Sequence, residues 1–75
     1  MKQTETPRET AQRHVADGEA RCIRQTVHLR EMITDDHPEA ARVAQRVLAT
    51  LEDTLDAKRE HLRQEEERAS PGDVT

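Results

Sequence analysis

The fold of this chain is decided by one short stretch near its middle, Thr34-Asp35-Asp36-His37-Pro38-Glu39. A proline disfavours helical geometry at the residue before it, so a preceding helix has to end before His37. Asp36 or His37 can cap a new helix that begins at Pro38, and Glu39 adds a favourable negative charge to its first turn. Because so short a connection joins antiparallel neighbours, the stretch predicts a helical hairpin.

The residues before this break have the pattern of one long amphipathic helix. Thr6-Pro7-Arg8-Glu9 is a typical helix start, with a capping Thr, a Pro at the first helical position and a Glu three residues after the cap. We therefore expect disorder over residues 1–5, a first helix over about 7–34 and a turn at 35–37. At 100° per residue, one stripe of this helix contains Ala11, Val15, Cys22, Thr26, Leu29 and Ile33, with Ile23 at its margin.

Gly18 lies close to that stripe, in the interior of the predicted helix. A glycine there costs about 1 kcal/mol relative to alanine. Two interpretations stay open, namely a tolerated weak point in the helix or a close approach by the neighbouring helix, which the missing side chain permits.

The residues after the break predict a second helix over about 38–68, of nearly the same length as the first. Its apolar stripe has spacings of four and three and contains Ala40, Ala44, Val47, Leu51, Leu55, Lys58 and Leu62, with Val43 and Leu48 beside it. Three consecutive glutamates, residues 65–67, lie at the negative end of the helix dipole, so we expect the last turns to fray. Ser70-Pro71-Gly72 ends the helix, and residues 69–75 are expected to be disordered.

The composition allows only a thin core. The chain has 75 residues, no Phe, Tyr or Trp, and 37% charged residues. Small scaffolds of this kind need disulfides, metals or oligomerisation, and a single cysteine excludes an intramolecular disulfide. We therefore predict an all-α antiparallel two-helix hairpin that dimerises into a four-helix bundle. The predicted self-association interface comprises Val15, Cys22, Ile23, Leu29, Ile33, Val47, Leu48, Leu51, Leu55 and Leu62.

The sequence does not favour an enzyme. Catalytic groups need a pocket that excludes water, and two helices without aromatic residues have little from which to build one. The glycines, Gly18 and Gly72, form no phosphate-binding loop, and no histidine follows a carboxylate by three residues as in di-iron bundles. His14 and His61 would share the open end of the hairpin, which permits at most a weak site. We expect no catalytic residue, metal, cofactor or small-molecule substrate, and a packing role for Cys22.

Arginine supplies the alternative prediction, a nucleic-acid-binding four-helix bundle. Arg13, Arg21 and Arg24 lie on the outer face of the first helix, although acidic residues lie among them and no aromatic side chain could stack on a base. A different protein as partner is a third possibility. No apolar run is long enough for a membrane span, the N-terminus lacks a secretory signal, and a single Cys suits a reducing compartment, so we expect a cytoplasmic protein.

Two segments carry a resemblance to known sequences. His14-Val15-Ala16-Asp17-Gly18-Glu19-Ala20-Arg21, with Arg24-Gln25, resembles the opening of short uncharacterised bacterial proteins. Leu48-Ala49-Thr50-Leu51-Glu52-Asp53-Thr54-Leu55, with His61-Leu62, is similar to their second half. The resemblance covers about residues 13–62 and implies a two-helix protein to which no activity is assigned.

Overall fold

The structure, a computed structural model, describes residues 4–68. Helix α1 spans Pro7–Thr34 and helix α2 spans Pro38–Arg68, and the two helices pack against each other. No strand occurs in residues 4–68, so the predicted all-α helical hairpin is confirmed. The disorder predicted for residues 69–75, and for 1–3 of the N-terminal segment, concerns residues outside the described range.

The start of α1 has the predicted capping box. The Thr6 hydroxyl accepts a hydrogen bond from the Glu9 amide at 3.1 Å, and the Glu9 carboxylate accepts one from the Thr6 amide at 2.9 Å. Glu5 falls in the segment predicted to be disordered, yet its carboxylate accepts hydrogen bonds from the Thr10 hydroxyl at 3.0 Å and from Arg13 Nε at 3.2 Å. Glu5, which precedes the cap, is therefore joined to the first turns of α1.

The turn between the helices closes α1 with a Schellman motif. Asp36 adopts the left-handed conformation, with φ of 61°, which Asp tolerates better than most residues. The His37 amide donates to the Met32 carbonyl at 2.9 Å, and the Asp36 amide donates to the Ile33 carbonyl at 3.1 Å. The His37 carbonyl then accepts the first hydrogen bond of α2, from the Ala41 amide at 2.9 Å. The three residues between the helices, 35–37, thus suffice to reverse the chain.

The helix–helix seam follows alternating spacings of four and three along both helices, the repeat of a coiled coil. On α1 the seam consists of Ala11, Val15, Gly18, Cys22, Gln25, Leu29 and Met32, all buried or half-buried. On α2 it consists of Ala41, Ala44, Leu48, Leu51, Leu55, Lys58, Leu62 and Glu65, which are all of the residues in that helix that are not exposed. The pairing is antiparallel, because Glu19 contacts Arg59 whereas Gln25 contacts Ala44.

This seam differs from the stripes that the sequence predicted. On α1, Ile33 is 62% exposed and Ile23 is 65% exposed, and the repeat continues instead through less apolar positions. On α2, Leu48 is buried, whereas Val47 lies outside the seam. The prediction followed the most apolar residues at 100° intervals. The helices instead keep a strict four-three alternation, although it brings a glycine and a glutamine into the contact.

Gly18 lies where the two helices approach closely. A Cβ atom added to this residue would lie 3.0 Å from Leu55 Cδ1 and 3.7 Å from Lys58 Cδ. Of the two interpretations of Gly18, the structure therefore shows the close approach. Leu55 fills the space that a side chain at position 18 would occupy, and it is only 5% exposed.

Candidate interaction surfaces

The open end of the hairpin is closed by a carboxylate that the sequence did not single out. Glu65 is 6% exposed and lines a cleft with Thr6, Pro7 and Arg8 at the start of α1, where a negative charge is favourable. Its carboxylate accepts a hydrogen bond from Arg68 Nη1 at 2.9 Å, and His61 Nε2 lies 3.8 Å away.

The burial of Glu65 was not expected, because the sequence placed residues 65–67 in the last turns of α2, which were expected to fray. A run of three glutamates at the end of a helix is typical of a solvated terminus, and it was therefore interpreted as a fraying end. The available signal was the spacing, since position 65 follows Leu62 by three residues and so continues the seam.

The three predicted nucleic-acid-contacting arginines lie in two different environments. Arg13 is held by Glu5 at 3.2 Å and lies 3.9 Å from Asp17. The hydrogen bond to Glu5 raises the pKa of Arg13, and the same bond, together with one from Thr10, lowers the pKa of Glu5. Arg21 and Arg24, by contrast, are exposed and form no ion pair within residues 4–68.

Arg21 and Arg24 belong to a larger basic region near the turn. Residues 20–30 and 40–51 contain no Asp or Glu, and the Gln25 side chain joins the two segments by donating to the Ala44 carbonyl at 2.9 Å. We call this region the arginine band, and its cations are Arg21, Arg24, Arg30, Arg42 and Arg46. None of the five forms an ion pair within the described part of the chain. The acidic residues therefore concentrate at the turn and in the half of the hairpin nearer the termini.

The residues predicted for self-association divide into two groups. Seven of them lie in the helix–helix seam, namely Val15, Cys22, Leu29, Leu48, Leu51, Leu55 and Leu62. The other three, Ile23, Ile33 and Val47, are exposed, as are Val27 and Val43. Cys22, half-buried in the seam, also lines a groove with Ile23 and Leu55. Large apolar side chains therefore remain on the surface although the hairpin has formed.

Helix α2 carries a second stripe, on its outer surface, that contains no charged residue. Each member immediately precedes a residue of the seam, and every member is exposed. We call it the outer stripe, and it consists of Ala40, Val43, Val47, Thr50, Thr54, Ala57, His61 and Gln64. Near its centre, Arg46, Val47, Thr50 and Leu51 line a shallow groove.

The opposite flank of α2 shows how unusual the outer stripe is. The residues that immediately follow each seam residue are Arg42, Gln45, Ala49, Glu52, Asp56, Arg59, Arg63 and Glu66, of which six are charged. On α1, the residues that precede the seam are Thr10, His14, Asp17, Arg21, Arg24, His28 and Glu31, of which four are charged. In a chain with 37% charged residues, a charge-free stripe along some seven helical turns marks a candidate contact surface.

Within residues 4–68, His, Cys, Asp and Glu side chains form no group of three or more that could hold a metal ion. Neither helix, over its described residues, is both long and apolar enough to cross a membrane. Comparison of the chain with protein-family models, with curated proteins and with solved structures gives no match.

Proposed function

We propose that this chain is a small non-enzymatic interaction module that works by helix-mediated self-association, two hairpins packing into a four-helix bundle. The observation that carries the proposal is the distribution of apolar side chains. The buried hydrophobic core comprises Ala11, Ala44, Leu48 and Leu55, whereas five large aliphatic residues are exposed. Each large aliphatic side chain that becomes fully buried on association contributes about 1.5–3 kcal/mol.

The helix–helix seam is too small to make the hairpin independent of a partner. Alanines, a glycine, a glutamine, a lysine and a glutamate occupy much of it. A two-layer structure of this size leaves part of its seam open to water, and Val15, Cys22, Leu29, Leu51 and Leu62 are only half-buried. A second hairpin would cover these edges together with the exposed Val43 and Val47. We place the module in the cytoplasm, where the half-buried thiol of Cys22 stays reduced.

Sedimentation velocity over a dilution series, combined with circular dichroism, tests the proposal. We expect a dimer at micromolar and higher concentrations, with helicity that falls as the dimer dissociates, because burial on association stabilises the folded state. A well-folded monomer across the whole series would contradict self-association. A chain that is unfolded at every concentration would instead assign the surface to a different protein as partner.

A second function, nucleic-acid binding, is favoured by the arginine band. Its five guanidinium groups have no acidic partner in the described structure, and Arg21 and Arg24 lie one turn apart on the same face of α1. Free cationic side chains of this kind bind the phosphate backbone of a nucleic acid, because binding releases the counterions that surround the phosphates. Arg13 contributes less than the sequence suggested, since Glu5 and Asp17 already neutralise it.

An electrophoretic shift assay with duplex RNA and DNA tests this second function, with a matched pair of double variants. Replacing Arg21 and Arg24 by Gln should lower the affinity and reduce the salt dependence by about two units in the logarithmic slope. Replacing Arg59 and Arg63 by Gln removes the same charge from side chains that are ion paired, so it should change binding less. Absence of any shift at low salt would exclude the function.

A further inference from the structure

We infer that the outer stripe of α2 is the surface on which a second copy of this chain docks, with the two α2 helices antiparallel about a two-fold axis between Val47 and Thr50. The inference rests on the proposed self-association and assigns it a surface and a geometry. Three observations on this helix carry it: the absence of charge, the order of the side chains and the position of two unpaired charges.

The spacing of the outer stripe suits helix packing. Its members recur at intervals of three and four residues, as the seam residues do. Such a stripe on one helix can interlock with the same stripe on a second helix. The seam on the inner side of α2 is already occupied by α1, so the outer stripe is a second, independent packing surface of the same helix.

The order of residues along the outer stripe is self-complementary. From position 40 to position 57 it is Ala, Val, Val, Thr, Thr, Ala. An antiparallel arrangement about the proposed axis places Val47 opposite Thr50 of the second copy. The same arrangement places Val43 opposite Thr54 and Ala40 opposite Ala57. Since valine and threonine have nearly the same shape, the Val47–Thr50 and Val43–Thr54 layers have the same width, and the smaller Ala40–Ala57 layers lie at the two ends.

Charges at the edge of the stripe favour a second copy over an unrelated partner. Arg46 and Asp53 each precede a stripe residue, Val47 and Thr54, and they lie on the same edge of the stripe. Neither forms an ion pair within residues 4–68. The antiparallel arrangement brings Arg46 of each copy beside Asp53 of the other, which gives two opposite-charge pairs per dimer.

The ends of the stripe remain compatible with this arrangement. Glu39 and Glu60 of the two copies would approach each other there, and they carry like charges. Glu60, however, is already paired with Arg63 on its own helix, and this ion pair lowers the pKa of the Glu60 carboxyl. The repulsion is therefore reduced where the arrangement would otherwise be least favourable.

Val47→Asp is the first test, with Val27→Asp as its matched control. Both residues are exposed valines within helices, 43% and 49% exposed, but Val27 lies on α1 and away from the outer stripe. By sedimentation velocity, Val47→Asp should raise the dimer dissociation constant by about a hundredfold, because a desolvated carboxylate would lie at the two-fold axis. Val27→Asp should leave it within about threefold of the wild-type value.

A charge exchange tests the antiparallel geometry even if Val47→Asp fails to fold. Arg46→Asp and Asp53→Arg each place like charges together in a homodimer, so each alone should weaken self-association by about tenfold. An equimolar mixture of the two variants should form a heterodimer of wild-type strength, since both pairs across the axis are again opposite in charge. A parallel pairing would instead place like charges together in the wild type, so the mixture would then bind more tightly than the wild type.

The outcomes separate this inference from the proposed function. A wild-type chain that stays monomeric overturns both. A dimer that survives Val47→Asp, or single-charge variants whose mixture shows no rescue, overturns the outer stripe and leaves self-association in place through another surface.

Discussion

The two stripes of α2 have the same spacing but opposite chemistry. The inner one, which forms the seam with α1, contains four leucines and also two charged residues, Lys58 and Glu65. The outer one has no leucine and no charge, and its first six members are alanine, valine and threonine. The inner stripe tolerates charge because its long side chains end at the edges of the contact or, for Glu65, on Arg68.

Burial and the absence of charge are therefore separate properties of a helix face. Leucines fill the groove between α1 and α2 and provide most of the apolar area of the hairpin. Short, branched side chains on the outer stripe provide a flat surface without the cost of removing charges from water. We therefore expect substitutions in the inner stripe to change folding, and substitutions in the outer stripe to change association.

The largest effect is expected from Leu55→Ala, at the centre of the inner stripe. Leu55 is 5% exposed and packs against Gly18, so truncation leaves a cavity opposite a residue that has no side chain to fill it. The free energy of unfolding should fall by about 3 kcal/mol, measured by chemical denaturation.

The outer stripe supplies the control for this prediction. Val47→Ala removes apolar atoms from a position that is exposed in the hairpin, so at one fixed chain concentration its unfolding free energy should fall by only about 1 kcal/mol, less than that of Leu55→Ala. Equal losses in the two variants would show that the inner and outer stripes do not differ in their contribution to folding.

The next effect concerns the close approach at Gly18. Gly18→Leu should destabilise the hairpin by about 1–3 kcal/mol, because the new side chain competes with Leu55 for the same space. Gly18→Ala is the smaller substitution at the same position, and the two variants should be compared. Its Cβ would lie 3.0 Å from Leu55 Cδ1, and the small shift required offsets the gain of about 1 kcal/mol in helix propensity. Thermal denaturation should place Gly18→Ala near the wild type, and a stable Gly18→Leu would contradict the tight contact.

A smaller effect, of opposite sign, is expected from Gln25→Leu. The Gln25 side chain donates to the Ala44 carbonyl at 2.9 Å, a carbonyl that lies within α2 and does not depend on this bond for a partner. Leucine would add buried apolar surface, so the unfolding free energy should rise by about 1 kcal/mol. A polar residue in a seam also fixes the register of the two helices, and Gln25→Leu removes that residue. In the variant, the protection of backbone amides from exchange should therefore be less uniform along the helices. A loss of stability would mean that the hydrogen bond outweighs the apolar gain.

The hairpin itself could be predicted because its signals are local. Pro38 interrupts the helix, Thr6 and Glu9 form the capping box, and each acts within one helical turn. The seam was predicted less well because it depends on how two helices fit together. Gly18 and Gln25 enter it through close approach and a hydrogen bond to the other helix, and neither is visible in the apolar periodicity of α1 alone.

Part of the candidate contact surface on α2 could be predicted from the sequence. Val47 was assigned to self-association, but as a member of an apolar stripe that also held the inner leucines. Separating the two stripes requires knowing which positions α1 already covers. Once the positions covered by α1 are known, the absence of charge at the eight positions of the outer stripe indicates a second contact surface. The cleft that Glu65 lines with the first residues of α1 could not be predicted from α2 alone, since it depends on the start of α1 lying beside the end of α2.

The smallest effect is expected from the ion pairs on the exposed faces, outside both stripes. Hydrogen bonds from Arg63 lower the pKa of Glu60 below its usual 4.5, and those from Arg13 and Thr10 lower the pKa of Glu5. A lowered pKa in the folded state means that the stabilisation is complete above pH 4.5 and disappears as the pH falls through the lowered value. Because these groups are exposed, the change is small and salt weakens it.

Glu60→Gln isolates this contribution, with Glu52→Gln as the control. Glu52 forms no ion pair within the described residues. Thermal midpoints measured from pH 6 down to pH 3 at low salt should fall less steeply for Glu60→Gln than for the wild type, because its side chain has no proton to bind. The Glu52→Gln profile should follow the wild type more closely. Identical profiles for all three proteins would show that the Glu60–Arg63 pair does not stabilise the folded hairpin in water.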